Sequence, residues 1–409
     1  MLYRVLIFLF IIAILDWYVF QAFRQLFAEN TNARTIASGI YGLLSVLCIT
    51  YILLSVFDVS DHWNRSLNII LRAIVFIVIF SKLPPLVLLI IDDLRRAFVG
   101  LLGLFGSGGP IPGRSDFMIK FGMILGAIPF TSLLYGLIRN PYRYKVHNQK
   151  IGIKNLPPAL EGLKIVQISD IHSGSFTFKE PVKRAVEIIN GLKADFVFFT
   201  GDLVNSIAEE MERFVDVFDK IEAKNGVFSI MGNHDYGDYY RWENKEEKEA
   251  NTEQFRSIHK RMGWDLLLNE NRILDIQGQK LAVIGVENIS GKLHFRKYGD
   301  LAKAYQGCED CALKILLSHD PSHWSNETIK EYKDIDITLS GHTHGMQFGI
   351  EIPGWLKWSP IKYVYKEWAG LYQEGQQYLY VNRGLGFLGY PGRVGILPEI
   401  TLIELESIS

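Results

Sequence analysis

Five short fragments of this sequence carry side chains that can hold metal ions, and each closes a strand-like run of apolar residues. They read Asp170-Ile171-His172, Thr200-Gly201-Asp202, Gly232-Asn233-His234-Asp235, Ser318-His319-Asp320 and Gly341-His342-Thr343-His344. Neutral imidazole is the commonest protein ligand for transition metals, and the two histidines of the last fragment, two residues apart just past a strand, face the same way. Each fragment also has an ordinary explanation. An Asp at a strand end often caps the next helix, Asn-His-Asp favours turns, and His-x-His pairs occur on plain surfaces. Their shared position sets them apart, because all five lie at strand exits of one domain.

Together the fragments supply Asp170, His172, Asp202, Asn233, His319, His342 and His344. Carboxylate, carboxamide and imidazole in this mixture suit borderline divalent ions such as Mn, Fe, Zn, Ni or Co rather than Ca or Mg alone. Seven ligands are too many for one ion of normal coordination number. Two ions ~3.5–4 Å apart, bridged by one carboxylate, would use them all. Such a pair can ionise a bridging water and neutralise the oxygens of a phosphoryl group during in-line attack. His234, beside Asn233, is then left to bind phosphate or donate a proton, with Asp235 a candidate to orient it.

The elements that must position these groups alternate between strand and helix. Strand-like runs cover residues 163–169, 196–199 and 226–230, with helical patterns over 182–192 and 208–223. Three consecutive units thus place ligands at strand C-terminal ends, where α/β folds build sites. Further short strands are expected at 265–268, 280–286, 313–317, 335–339 and 400–405. The charged stretch 236–261 reads as a solvated helix in preference to a substrate lid. Cys308 and Cys311 have metal or redox spacing but no second pair to complete a four-thiolate site, so they read as a reduced pair or, failing that, a local disulfide.

The first 140 residues are of another kind. The whole chain has 409 residues, 48% of them hydrophobic, and a net charge of −1, which gives no electrostatic footprint for nucleic acid. The apolar excess concentrates in four spans, 6–23, 36–57, 67–91 and 117–138, each near the ~20 residues that cross a bilayer. Buried helices of a soluble core are the competing reading. The first span is too long for a signal peptide. Asp16, Lys82 and Pro84-Pro85 interrupt the spans; Lys82 could snorkel while the prolines end or kink its helix. A loop is expected over 106–114 and a short interfacial segment over 98–105. Basic residues divide almost evenly between the two sides, and the cluster Arg139, Arg143 and Lys145 tips the catalytic half toward the cytoplasmic face. The expected domains are a transmembrane region of about four helices over 1–140, a linker over 141–162 and a catalytic domain over 163–409.

The order D-x-H, G-D, G-N-H-D, a lone His and G-H-x-H resembles the calcineurin-like metallophosphoesterase superfamily. Ile168-Ser169-Asp170-Ile171-His172-Ser173-Gly174, Gly285-Val286-Glu287-Asn288, Arg383-Gly384-Leu385-Gly386 and Pro398-Glu399-Ile400 are most similar to its membrane-attached YkuE/YaeI-type branch. The resemblance implies a four-layer α/β/β/α sandwich behind the α-helical transmembrane region. It implies that Asp170, His172 and His344 hold one divalent ion and Asn233, His319 and His342 a second, with Asp202 bridging and His234 acting on substrate. The expected activity is hydrolysis of a phosphodiester or pyrophosphate. Trp355, Trp358, Tyr363, Tyr365 and Trp368, with Lys357, Lys362 and Lys366 among them, suit a headgroup interface, although several rings could simply pack beneath the site loops. A lipid-linked substrate is therefore expected. The UDP-diacylglucosamine intermediate of lipid A synthesis is one candidate, by analogy with a related branch. The competing class is non-enzymatic, a membrane scaffold or a transporter with an accessory metal-binding domain; the scaffold predicts missing ligands.

Overall fold

The computed structural model describes residues 2–57, 59–104, 113–292, 295–352 and 354–408, and the chain divides into two compact units, Met1–Leu137 and Ile138–Ser409. The first unit consists of long apolar helices: α1 (Leu2–Gln25), α2 (Thr31–Val56), α3 (Arg65–Phe80), α4 (Leu83–Leu104) and α5 (Asp116–Arg139). Asn30 and Asn64 start α2 and α3 as N-caps, each side chain accepting a first-turn N–H. Three helical stretches, Thr31–Val56, Arg65–Gly103 and Asp116–Arg139, are long and apolar enough to cross a membrane, and α1 covers the first expected span. Large apolar side chains such as Phe10, Ile36, Leu43, Leu94 and Ile124 face outward, the reverse of a bundle built for water.

The span expected at 67–91 is two helices rather than one. Pro84 and Pro85 lack the N–H that a helix interior needs but fit a first turn, so α3 stops at Phe80 and α4 begins at Leu83. At that break Lys82 pairs with the Asp16 carboxylate instead of reaching for an interface. Ser45 Oγ lies 3.1 Å from the amine, and the Tyr41 hydroxyl donates to Asp16 at 3.0 Å. The segment expected at 98–105 continues α4 as far as Leu104; Phe105 and most of the 106–114 loop lie outside the described residues.

The second unit is built on two six-stranded sheets. The first contains β1 (Lys145–Lys154), β2 (Lys164–Ile168), β3 (Phe196–Phe199), β4 (Val227–Ser229), β5 (Asp265–Leu266) and β14 (Glu399–Ile408), in the order β1-β14-β2-β3-β4-β5. The second contains β6 (Glu270–Ile276), β7 (Gln279–Gly285), β8 (Leu313–Leu317), β9 (Ile337–Ser340), β12 (Gly370–Glu374) and β13 (Gln377–Val381), in the order β12-β13-β9-β8-β7-β6. A separate hairpin joins β10 (Ile350–Ile352) to β11 (Leu356–Trp358).

Alternation along each strand sorts the core into layers. Phe196 and Phe198 of β3 pack between the sheets with Ile165, Val283, Ile315 and Leu339. Val197 and Phe199 point the other way, against Val182 and Ile189 of α6 (Lys179–Gly191) and Phe255 and Ile258 of the 18-residue helix Lys245–Met262. On the far side, Ala282, Ile284 and Leu316 meet Leu301 and Ala304 of the short helix Leu301–Tyr305. The result is an α/β/β/α sandwich. The charged stretch is the helix Lys245–Met262, one face of it in the core.

Two stretches of this unit differ from their expected form. The helix at 208–223 is two single turns, Glu209–Glu212 and Val215–Phe218, because the chain bends at Phe214 to bury Met211, Phe214 and Phe218 together. Within the stretch expected as a linker, 141–162, Lys145–Lys154 is a strand, paired in parallel with β14 along its whole length.

Candidate metal centre

The parallel strands β2, β3 and β4 of one sheet and β8 and β9 of the other end at the same place, and each opens into one of the five fragments. Asp170 and His172 follow β2, Asp202 follows β3, Asn233 follows β4, His319 follows β8, and His342 and His344 follow β9. Five of these residues, Asp170, His172, Asp202, His342 and His344, have left-handed backbone with φ between 44° and 72°. Non-glycine residues held there cost of order 1–3 kcal/mol each, so the surroundings must over-determine them. They do: the His342 N–H donates to Asp170 Oδ1 at 3.0 Å, the His234 N–H to Asp202 Oδ1 at 2.9 Å, and the His172 N–H to the Asp202 carbonyl at 3.1 Å. Glycine is required where these loops touch. A Cβ on Gly232 would lie 2.2 Å from Asp202 Oδ1, and one on Gly341 2.2 Å from Asp170 Oδ2.

The side chains form two groups. Asp170, His172 and His344 converge in one, with His344 Nε2 3.1 Å from Asp170 Oδ1 and 3.0 Å from His172 Nε2. Asp202, His319 and His342 converge in the other, and Asn233 Oδ1 joins them 2.9 Å from His342 Nδ1. Asp202 Oδ2 stands between, 3.1 Å from His319 Nε2 and 3.5 Å from His172 Nε2.

The proton positions can be worked out from the outer partners. His319 Nδ1 faces the Thr200 carbonyl at 2.7 Å and His172 Nδ1 the Val204 carbonyl at 3.2 Å; carbonyls only accept, so both Nδ1 atoms carry the hydrogen. Their Nε2 lone pairs then point at carboxylate oxygen. On His342 the roles reverse. Asp320 accepts from the Tyr365 hydroxyl at 3.1 Å, and that oxygen lies 2.9 Å from His342 Nε2, leaving Nδ1 bare toward Asn233 Oδ1. Burial and the Asp320 charge push the Tyr365 phenol up, so its O–H keeps its proton. Three imidazole lone pairs therefore aim at oxygens that also only accept. Such an arrangement is stable only around positive charge, and this donor set fits divalent cations. The field agrees. Burial opposes a charge on His319, yet the Asp202 carboxylate overcomes it and pushes the imidazole up to about 10, so a proton takes this place between Nε2 and Asp202 whenever a metal does not. Burial would raise Asp170, and the imidazoles of His344 and His319 bring it below the usual carboxylate range.

All seven expected ligands meet at this one site. Asp235 has another place. Neighbouring residues of the loop point in different directions, so its carboxylate turns beneath Asp202 and accepts four backbone N–H groups, from Asp202, Leu203, Val204 and Gly232 at 2.8–3.2 Å. His234 is oriented instead by the Asn205 carbonyl, 2.6 Å from Nδ1. Sequence reasoning gave no role at the site to Asn205, Asp320 or Tyr239, whose hydroxyl accepts from Asn233 Nδ2 at 3.0 Å, and it read Tyr365 with the headgroup aromatics. Only Asp320, next to His319, carried a signal. The aromatic stretch divides: Tyr365 and Trp368 are buried under the site loops, while Trp355 and Tyr363 are exposed. Cys308 and Cys311 are buried free thiols.

A strand-exit site of this composition on an α/β/β/α sandwich defines a metal-dependent phosphoesterase, and the chain belongs to the calcineurin-like phosphoesterase family. The family model for "Calcineurin-like phosphoesterase" matches residues 163–346, and that for "Probable Calcineurin-like phosphoesterase, transmembrane domain" matches residues 3–141. The chain is thus a membrane protein with a transmembrane domain ahead of its phosphoesterase domain. It is 27% identical over 379 residues to a transmembrane protein with metallophosphoesterase domain from Danio rerio, covering 88% of this chain and 77% of that one. It is 30% identical over 279 residues to the uncharacterized metallophosphoesterase YkuE of Bacillus subtilis, covering 67% of this chain and 90% of the relative. Among solved structures, the phosphopantetheinyl hydrolase PptH of Mycobacterium tuberculosis aligns at 11% identity with a TM-score of 0.33, over 57% of this chain and 91% of that one.

Proposed function

We propose that the site holds two divalent cations and hydrolyses a phosphodiester or pyrophosphate carried by a lipid. Asp170, His172 and His344 hold the first ion, and Asn233, His319 and His342 the second, with Asp202 shared. The observation that carries this is the convergence of bare imidazole nitrogens on acceptor oxygens, with Asp202 Oδ2 within 3.5 Å of a histidine from each group. Ions bound there supply neutralisation of phosphoryl oxygens and a source of hydroxide at neutral pH. The protein's own part is positioning. Tyr365 and Asp320 fix His342, the Thr200 carbonyl fixes His319, and Tyr239 fixes the Asn233 carboxamide. His234, half-buried and held through Nδ1, presents Nε2 to the phosphoryl group or the leaving oxygen. The lipid half of the proposal is supported by the transmembrane domain and by the exposed aromatics beside the His-x-His loop.

The test is metal analysis of detergent-purified full chain together with Mn-dependent hydrolysis of bis-p-nitrophenyl phosphate and of the p-nitrophenyl monoester. About two metals per chain and preferred turnover of the diester are expected. A chain that binds no metal overturns the dinuclear site. Turnover of the soluble diester with none of a panel of phospholipid diesters and lipid pyrophosphates in mixed micelles overturns the lipid assignment alone.

A further inference from the structure

The hairpin β10–β11 is built inside out. Its register pairs Ile350 with Trp358, Glu351 with Lys357 and Ile352 with Leu356. Successive side chains on a strand point to opposite faces, and directly paired residues share one. The charged pair makes the contacts to the domain: Glu351 meets the buried Arg383 guanidinium at 2.5 Å, and the amine of Lys357, a residue otherwise exposed, bonds the Ala369 carbonyl over the Trp368 ring. Ile350, Ile352 and Leu356 are left on the outer face, all exposed, with Trp355 at the turn 79% exposed. Met346 and Tyr363, on the segments flanking the hairpin, are exposed as well, Tyr363 to 75%. A hairpin meant for water would carry the opposite pattern.

Three observations name what covers this patch. Aliphatic side chains led by Trp and Tyr, with the exposed lysines Lys362 and Lys366 beside them, have the composition of an anionic bilayer interface. The chain is already a membrane protein. Only five residues separate the end of the last apolar helix at Arg139 from β1 at Lys145, at most ~18 Å of extended chain. We propose that β10–β11 docks in the headgroup region of the bilayer, Trp355 and its outer face entering the interface while the open strand edges stay in reach of water. β10 begins at Ile350, soon after His344, so docking would hold the chain just beyond the metal centre at the membrane surface. The docking claim goes beyond the phosphoesterase reading; only its value for a lipid substrate rests on it.

The test uses full-length Trp355→Cys labelled with an environment-sensitive nitrobenzoxadiazole dye and reconstituted into phosphatidylcholine–phosphatidylglycerol vesicles. The native Cys48, Cys308 and Cys311 are buried. Lys245→Cys, at an exposed position on the charged helix, is the control, and Leu356→Cys repeats the measurement should the first label disturb the turn. The hairpin dye is expected to shift to the blue, to be quenched by nitroxide-bearing lipid several-fold more than the control, and to be protected from iodide. Equal iodide quenching at both positions overturns the proposal. So does protection from iodide without lipid quenching, which would mean a second copy or another protein covers the patch. Hydrolysis of the soluble diester by the same vesicles reports separately. Full activity with a water-exposed dye overturns docking alone, and a docked dye on a metal-loaded but inactive chain overturns the phosphoesterase reading alone.

Discussion

His319 points its bare Nε2 at Asp202 Oδ2 from 3.1 Å while the Thr200 carbonyl holds the hydrogen on Nδ1. Lone pair faces lone pair, and a cation relieves it. Asp202→Ala is therefore expected to lower metal content and to cut diester hydrolysis by about 100-fold or more, the upper end of what even outer partners of a metal ligand contribute. Membrane insertion should be unchanged. Inductively coupled plasma analysis beside the activity assay checks it, and retained turnover would refute the shared role.

Removing metal should also destabilise the catalytic domain. The five left-handed candidate ligands and the facing lone pairs are features of the folded state, so a cation is expected to bind the native chain more tightly than the unfolded one. At 100 times its dissociation constant such an ion stabilises by up to about 2.7 kcal/mol, less whatever it gains on the unfolded chain. Chelation is expected to lower the melting temperature by several degrees and restoring Mn to recover it. An unchanged melting curve would count against the site.

Tyr365→Phe keeps the ring in its packed position but removes the hydroxyl between Asp320 and His342 Nε2. His342 then loses the partner that keeps Nδ1 bare. Affinity for the ion held by His342 should fall about 10–100-fold, with kcat recoverable at high metal concentration. A metal titration of activity distinguishes this from a folding defect, which added metal would not rescue at the same melting temperature.

Acid stability should depend on Glu399. Burial would raise this carboxyl, but Arg383, bonded at 2.6 Å, with His147 and the Tyr380 hydroxyl overcomes it and brings it down to about 2 from an ordinary 4.5. A folded-state pKa below the unfolded one stabilises above pH 4.5, and that contribution is lost as the pH falls from 4.5 toward 2. The shift corresponds to about 3 kcal/mol. Glu399→Gln should flatten this acid limb in thermal unfolding followed between pH 6 and 3; an unchanged limb would place the titrating group elsewhere.

The ligand fragments were legible because their chemistry is local: each is a polar cluster at the end of an apolar run, and the strands before them, such as Leu313–Leu317, are buried on both faces. The pieces that were missed lack that contrast. β1 reads Lys-Val-His-Asn-Gln-Lys-Ile-Gly-Ile-Lys, a mostly polar edge strand whose only large buried side chains are Ile151 and Ile153. β6 alternates polar and apolar on a half-exposed edge, and β12 is short and begins at a glycine. Asp235 misled for the opposite reason. It follows His234, the candidate to act on substrate, and nothing in Asn233-His234-Asp235 says that the carboxylate turns under the Asp202 loop. Tyr365 lies 23 residues from His342, and no spacing rule joins them.

In the first sheet β14 lies between β1 and β2, parallel to one and antiparallel to the other. Residue 154 and residue 164 are made long before residue 399, so the growing chain carries a gap one strand wide between them. Contacts this distant in sequence form late, and until then two strand edges stand open to any passing partner. The last strand works as the bolt of the domain. A chain lacking residues 399–408 should leave the ribosome with its metal fragments complete and still aggregate.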